Sequence, residues 1–160
     1  MSNLFGGWWR IRRSFGSAML DDLAAAIAAG ERTHLGELRL AVESRLHPGA
    51  VLAGLDATAR ARQVFGQLGV WDTERNSGVL LYVLLSERRI EIVVDRGVAA
   101  RVSPAQWDDV SAAMRQAYAR GQWREGSLAA ITAAHALLRA AFPPDGSHNN
   151  EELPDRPVLL

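Results

Sequence analysis

Four side chains with oxygen donors flank the strand-like segments of this sequence. Glu37 opens the first segment, Asn76 and Ser77 precede the second, and Asp95 follows the third. Carboxylate, amide and hydroxyl oxygens suit hard cations such as Ca²⁺ and Mg²⁺. We therefore take Glu37, Asn76, Ser77 and Asp95 as a candidate metal site and Ca²⁺ or Mg²⁺ as its ion. The site exists only if the three segments meet at one edge of a sheet.

Two apolar runs predict a pair of strands at the centre of the domain. Residues 79–85 are apolar at every position, which is typical of a strand covered on both faces. In the second run, Ile90, Ile92 and Val94 fall on one face, and Glu91, Val93 and Asp95 fall on the other. The polar residues 86–89 between the runs are enough for a hairpin, so we expect these two strands to be antiparallel.

An earlier strand and a helix complete a predicted βαβ unit. Residues 36–44 alternate between polar and apolar side chains and predict a strand with one polar or partly covered face. Residues 56–68 predict a helix that crosses to the strand at 79–85, which makes the first two strands parallel. The starts of those strands and the end of the third then lie at one edge, together with the four candidate ligands.

Helical patterns fill most of the remaining chain. We expect helices at 17–30 and 124–141, and a third that begins at a capping box, Ser103-Pro104-Ala105-Gln106, and ends at Gly121. Helices packed on both faces of a small mixed sheet form an α/β fold, a three-layer α/β/α sandwich. We divide the chain into an N-terminal arm (1–16), one domain (17–142) and a flexible or surface-docked C-terminal tail (143–160).

Composition excludes several classes of chemistry. The 18 basic residues are all Arg and balance 18 acidic residues, so there is no lysine for Schiff-base chemistry. The chain also has no cysteine, which excludes thiolate catalysis and cysteine-bound metals. Trp8 and Trp9 stand among arginines, but the zero net charge does not favour a nucleic-acid partner.

The sequence shows no recognisable targeting signal, which favours a protein of the cytoplasm. The first residues lack the apolar core of a signal peptide, and no apolar run reaches the about 20 residues that a membrane helix needs. We expect a cytoplasmic protein without membrane insertion, for which a protein partner is possible.

Other interpretations of the same residues stay open. Asp, Asn and Ser also gather at strand ends because turns favour them. The opposite edge, at residues 45–48 and 86–89, is richer in Arg and lies beyond the carboxyl ends of the parallel strands, where α/β sheets usually bind ligands. His135 falls on an apolar helical stripe and is expected to be a core residue.

Several segments resemble the TPM domain. Residues 33–39, THLGELR, resemble the segment that leads into that family's first strand, and residues 76–81, NSGVLL, resemble its NGVLL segment. Residues 92–97, IVVDRG, resemble the end of its third strand, and residues 121–126, GQWREG, the turn before its last helix. The resemblance extends from about residue 23 to residue 142 and is to the short soluble bacterial branch of the family.

The resemblance implies an α/β/α sandwich and suggests two functions. The family includes a thylakoid-lumen acid phosphatase, photosystem II repair factors and an acetylcholine-receptor modulator, and some relatives bind calcium. It implies a module that binds a divalent cation or a partner protein. The alternative is a phosphomonoester hydrolase in which Asp95 or Glu37 acts as an acid–base or metal-holding group. Ser77 departs from the family pattern, which commonly has Asn there, and no catalytic nucleophile can be matched.

Overall fold

The computed structural model describes residues 11–147 and 149–160. Residues 11–14 are helical, and the tryptophans Trp8 and Trp9 of the expected N-terminal arm lie outside the described residues. In chain order the further elements are α1 (Ser17–Glu31), β1 (Glu37–Glu43), α2 (Pro48–Leu52), α3 (Ala57–Gln67), β2 (Gly78–Leu84), a 3₁₀ turn (Leu85–Glu87), β3 (Arg89–Val94), α4 (Arg96–Ala99), α5 (Pro104–Ala119), α6 (Trp123–Ala141) and β4 (Val158–Leu159).

The sheet is mixed, and its strand order is β3-β2-β1-β4. Strands β1 and β2 are parallel, with Glu37 opposite Gly78. Strands β2 and β3 are antiparallel, with Val79 opposite Val94. The predicted βαβ crossover and hairpin are both confirmed, and with them the mixed sheet of an α/β fold.

Helices cover one face of the sheet and a mixed layer covers the other. Helices α1, α5 and α6 pack on the face that carries Leu38, Leu40 and Val42. Helix α3 and Leu153 pack on the opposite face, against Leu80 and Tyr82. These two apolar layers make the three-layer α/β/α sandwich that the sequence predicted.

Strand β1 differs from its prediction, because all seven of its residues are buried. Its polar face lies beneath α3 and the last residues of the chain. Glu43 accepts hydrogen bonds from Arg60 Nε at 2.9 Å and from the Tyr82 hydroxyl at 2.5 Å. Arg39 Nη1 donates to the carbonyl oxygen of Pro154 at 2.5 Å. The polar side chains of β1 therefore bind partners inside the protein and do not form a face in contact with water.

Several short elements were not predicted from the sequence, among them α2, α4 and β4. Residues 149–160, which we call the C-terminal strap, contain β4, which pairs in parallel with Ala41 and Val42 of β1. Two prolines and several acidic residues in this segment hide the strand signal. Helix α2 lies within residues 45–56, where Pro48, Gly49 and Gly54 predict a loop from the sequence. Pro48 is at the first position of this helix, and the Nδ1 atom of His47 accepts the Gly49 amide at 3.2 Å.

Across residues 11–147 and 149–160, no helix is both long enough and apolar enough to cross a membrane.

Gly78 lies where the loop before β2 packs against the sheet. A Cβ atom at this position would lie 2.0 Å from the carbonyl oxygen of Val70 and 2.9 Å from Val70 Cγ1. Because the obstructing atom belongs to the backbone, no side-chain rotation can relieve the clash. The loop before β2 can reach the sheet only because residue 78 has no side chain.

We expect Gly78→Ala to lower the free energy of unfolding by roughly 1–3 kcal/mol, since the loop must move away from the sheet. Gly66→Ala is the matched control: Gly66 is in α3, nothing lies within 4 Å of an added Cβ, and helix propensity predicts a gain of about 0.5–1 kcal/mol. Urea denaturation of both variants measures the difference. Equal stabilities would contradict the proposed contact.

Candidate functional site at the amino-terminal rim

The starts of β1 and β2 and the end of β3 meet at one edge of the sheet, which we call the amino-terminal rim. The Glu37 amide donates to the Ser77 carbonyl at 3.2 Å, and the Asp95 amide donates to the Gly78 carbonyl at 2.9 Å. The backbones of the predicted site residues are thus joined in one continuous row.

The side chains of Glu37 and Asp95 are separated although hydrogen bonds link their backbones at the rim. Both residues align with Gly78, so strand alternation directs their side chains to the same face. The backbone of Val70 fills the space over Gly78 between them. The two carboxylates therefore stand on opposite sides of the Val70 backbone.

Ser77 faces the other side of the sheet and is already hydrogen-bonded. Its hydroxyl donates to the Leu35 carbonyl at 3.1 Å, and its amide donates to Thr73 Oγ1 at 2.9 Å. The residue is 1% exposed. Ser77 thus holds the loops of the rim together.

Asn76 and Asp95 are linked through the turn that begins α4. Asn76 has a left-handed backbone with φ 51°, and its carbonyl accepts the Gly97 amide at 3.0 Å. Asp95 caps α4, since its Oδ1 atom accepts the Arg96 amide at 2.7 Å. Its Oδ2 atom is buried and has no hydrogen-bond partner. Within the described part of the chain, no three His, Asp or Glu side chains are grouped as a metal would require.

Glu37 lies beneath the C-terminal strap. Its Oε1 atom accepts the Glu152 amide at 3.4 Å, and its Oε2 atom is buried without a partner. Burial, followed by the nearby Glu152 and Asp155 carboxylates, raises the pKa of Glu37 to about 7. Glu37 is therefore only partly ionised at neutral pH.

Glu31 is a second buried carboxyl group next to Glu37, and the sequence analysis did not identify it. Its Oε1 atom accepts the Leu38 amide at 2.7 Å, at the edge of β1. Burial and then the proximity of Glu37 raise the pKa of Glu31 to about 10, and a hydrogen bond with Asp155 acts in the same direction. The group is protonated at neutral pH. A glutamate at the end of a helix carries no sequence signal for this role.

Two histidines form a buried pair behind the rim. His34 Nδ1 accepts the Gly36 amide at 3.0 Å, so its proton is on Nε2, which donates to His135 Nδ1 at 2.7 Å. Burial lowers the pKa of both histidines to about 4, and the charge of Arg139 acts in the same direction. Both rings are neutral at pH 7. His135 is a core residue, as the sequence predicted, and it joins α6 to the rim.

The opposite edge of the sheet also contains polar groups. A cavity of about 480 Å³ is lined there by His47, Arg60 and Glu43, among others. The hydrogen bonds from Arg60 and Tyr82 occupy the Glu43 carboxylate. This arrangement holds the end of β1 to α3 and leaves no carboxylate free for chemistry in this cavity.

Comparisons with known proteins identify the same family as the motifs. The profile of the TPM domain matches residues 15–137. The search among curated protein sequences returned no match.

Three solved structures share the fold. The NMR structure of the BA42 protein from the psychrophilic bacterium Bizionia argentinensis has a TM-score of 0.78 and 26% identity, covering 90% of this chain and 94% of that one. An N-terminal domain from P. gingivalis has a TM-score of 0.64 and 16% identity, covering 79% and 78% of the two chains. The N-terminal domain of the cg2496 protein from Corynebacterium glutamicum has a TM-score of 0.59 and 15% identity, covering 86% and 82%.

The raised pKa of Glu31 predicts a stability that falls at alkaline pH. Between its unfolded pKa of about 4.5 and its folded pKa of about 10, the folded chain binds more protons, so stability decreases as pH rises. His34 and His135 act in the opposite direction, but only between about pH 4 and 6.5. Measurements from pH 7 to 9 therefore avoid the contribution of the histidines.

We expect the unfolding free energy of the wild type to fall by on the order of 1 kcal/mol per pH unit over this range. Glu31→Gln keeps an oxygen for the Leu38 amide and removes the titration, so its profile should be nearly flat. Glu125→Gln, at an exposed position of α6, is the control and should follow the wild type. Urea denaturation at several pH values gives the slopes, and equal slopes for Glu31→Gln and the wild type would refute the assignment.

Proposed function

This chain belongs to the TPM-domain family, and on that premise we propose that it is a module that binds a divalent cation, Ca²⁺ or Mg²⁺, at the amino-terminal rim. Asp95 anchors the ion in this proposal. The observation that carries it is the Oδ2 atom of Asp95, which is buried and has no hydrogen-bond partner. A buried carboxylate oxygen without a donor is costly, and a cation supplies the missing partner.

The surroundings of Asp95 favour this role. Its Oδ1 atom is fixed by the Arg96 amide, so the carboxylate has a defined orientation. Gly97 packs so closely on the preceding loop that an added Cβ would lie 2.6 Å from the Asn76 carbonyl oxygen. This contact holds Asn76 beside the turn, where its side-chain amide oxygen offers a second ligand. Water completes the coordination, as is common for both ions.

Glu37 and Ser77 have supporting roles in this proposal. Glu37 has its own unpartnered oxygen, but the backbone of Val70 separates it from Asp95. One ion bound directly to both carboxylates would require Val70 to move. Ser77 stabilises the loops of the rim through the hydrogen bond from its hydroxyl to the Leu35 carbonyl.

A protein partner and a cytoplasmic location complete the proposal. Both are expectations from the sequence, whose zero net charge favours neither nucleic acid nor an anionic membrane as a partner.

A titration followed by ¹H–¹⁵N NMR tests the cation site. Millimolar CaCl₂ or MgCl₂ should shift the amide signals of residues 76 and 95–97. Asp95→Asn should weaken binding by about tenfold or more, equivalent to about 1.4 kcal/mol, because it removes the charged ligand. Asn is also a good helix cap, so the α4 turn should be preserved.

Asp109→Asn is the matched control, because it removes the same charge from an exposed position on α5. It should bind like the wild type. A flat titration of the wild type, or equal affinities of Asp95→Asn and the wild type, would refute the cation site. Glu37→Gln tests the second carboxylate separately.

Hydrolysis of phosphomonoesters is the second candidate function, and a cleft at the same rim favours it. The cleft has a volume of about 550 Å³ and is lined in part by Asn76, Arg75 and Arg101. Arg101 lies 4.3 Å from the centroid of the Phe142 ring, and Arg75 Nη2 donates to Ser147 Oγ at 2.9 Å. Guanidinium groups held in this way suit the oxygens of a phosphate group. A cation shared by Asp95 and Asn76 would add charge stabilisation where Asn76 lines the cleft.

Hydrolysis of p-nitrophenyl phosphate in the presence of Mg²⁺ tests this candidate. Arg101→Gln and Asp95→Asn should each lower kcat/KM by roughly tenfold or more, since each removes a group that stabilises phosphate charge. Asp109→Asn should retain full activity. Activity that survives both substitutions unchanged would place the reaction elsewhere or in a contaminant.

A further inference from the structure

A groove at the edge opposite the amino-terminal rim has the composition of a ligand site. It lies between the β2–β3 turn and the junction of α5 with α6, and its volume is about 640 Å³. Pockets that bind small organic molecules commonly have volumes of roughly 300–1,000 Å³. Its position at the end of β2 is also beyond the carboxyl ends of the parallel strands, where α/β sheets usually bind ligands.

The walls of the groove are apolar and rigid. Ile90 and Leu85 line it on the side of the sheet, and Tyr118 and Trp123 line it on the side of the helices. The rings of Tyr118 and Trp123 have centroids 4.7 Å apart, and each lies 6.1 Å from the Phe15 ring behind them. The Tyr118 hydroxyl is 2.5 Å from Ser127 Oγ. This packing holds the aromatic wall in one conformation before any ligand arrives.

The charged side chains that line the groove are arginines. Arg88, Arg89 and Arg115 line it, and among residues 11–147 and 149–160 no Asp or Glu belongs to the lining. In the whole chain, by contrast, 18 acidic residues balance 18 basic ones. Glu91 pairs with Arg89 at 2.5 Å, whereas Arg88 and Arg115 are exposed at the mouth. Trp123, the first residue of α6, also lines the groove, so the positive end of that helix lies nearby.

We propose that this groove binds an amphipathic organic anion, a molecule with an aromatic or aliphatic body and one acidic group. The apolar body lies against Ile90, Tyr118 and Trp123, and the acidic group lies near Arg88 and Arg115. A neutral apolar molecule lacks a partner for the guanidinium groups, and inorganic phosphate lacks one for the apolar wall. The proposal is independent of the cation site, which lies at the other edge of the sheet.

Two matched fluorescent probes test the proposal on the full-length chain. The first is 8-anilinonaphthalene-1-sulfonate, and the second is N-phenyl-1-naphthylamine, which has the same rings without the acidic group. In a ¹H–¹⁵N NMR titration, the sulfonate should shift the signals of residues 85–90 and 115–123 and should bind more tightly than the amine. Raising the salt concentration should weaken only the sulfonate, because salt screens exposed charges.

Two substitutions on the exposed face of α5 identify the charge contribution. Arg115→Gln removes a positive charge and Gln116→Glu adds a negative one, and each should weaken sulfonate binding by roughly two- to fivefold. Neither should change the affinity for the neutral amine. Arg62→Gln, on an exposed position of α3 away from the groove, is the control and should bind like the wild type.

Three outcomes would contradict the proposal. Equal affinities for the two probes, or sulfonate binding that is unchanged in both α5 variants, would leave an apolar patch without anion selectivity and overturn the proposal. Shifts confined to residues outside the groove would also overturn it.

Discussion

Burial of the polar face of β1 is the constraint on which the rest of the structure depends. Glu37, Arg39 and Glu43 alternate along a strand that is covered on both sides, and each ionisable group needs a partner there. Arg39 finds carbonyl oxygens in the C-terminal strap, and Glu43 finds Arg60 and Tyr82. Glu37 is satisfied at only one of its two oxygens. The strap and α3 are therefore parts of the domain's interior.

The same constraint explains the electrostatics of the rim. Glu31 and Glu37 are close to Asp155 in a region from which water is largely excluded, which raises the pKa of Glu31 to about 10 and that of Glu37 to about 7. The neutral histidine pair next to them adds no positive charge that would favour ionisation. Burial beneath the strap therefore sets the protonation of the carboxyl groups at the start of β1.

The topology could be predicted from sequence because its signals are local. The apolar run of β2, the alternation of β3 and the cap of α5 each depend on neighbouring residues, and together they define chain direction and the position of the rim. Strand β4 and the burial of β1 depend on contacts between distant segments; Arg39 meets a carbonyl oxygen 115 positions away. The separation of Glu37 from Asp95 depends on Val70 packing over Gly78, which no periodic pattern reveals. The sequence therefore predicted a shared edge but not the directions of its side chains.

The two edges of the sheet differ in chemistry although the whole chain is neutral. Carboxyl groups dominate near the start of β1, and arginines line the groove at the end of β2. The equal numbers of acidic and basic residues in the whole chain do not reveal this difference between the two edges. A neutral protein can in this way offer surfaces for ligands of opposite charge.

Strand β4 pairs with only two residues of β1, and the Glu31 carboxyl occupies the Leu38 amide farther along the same edge. These contacts cover the side of β1 that faces away from β2, whose amides and carbonyls would otherwise be open to pairing. Proteolytic cleavage before residue 149 would release the strap and bare the hydrogen-bonding groups of Ala41 and Val42. Clipped molecules could then join edge to edge, so an intact carboxyl terminus protects this fold from self-association.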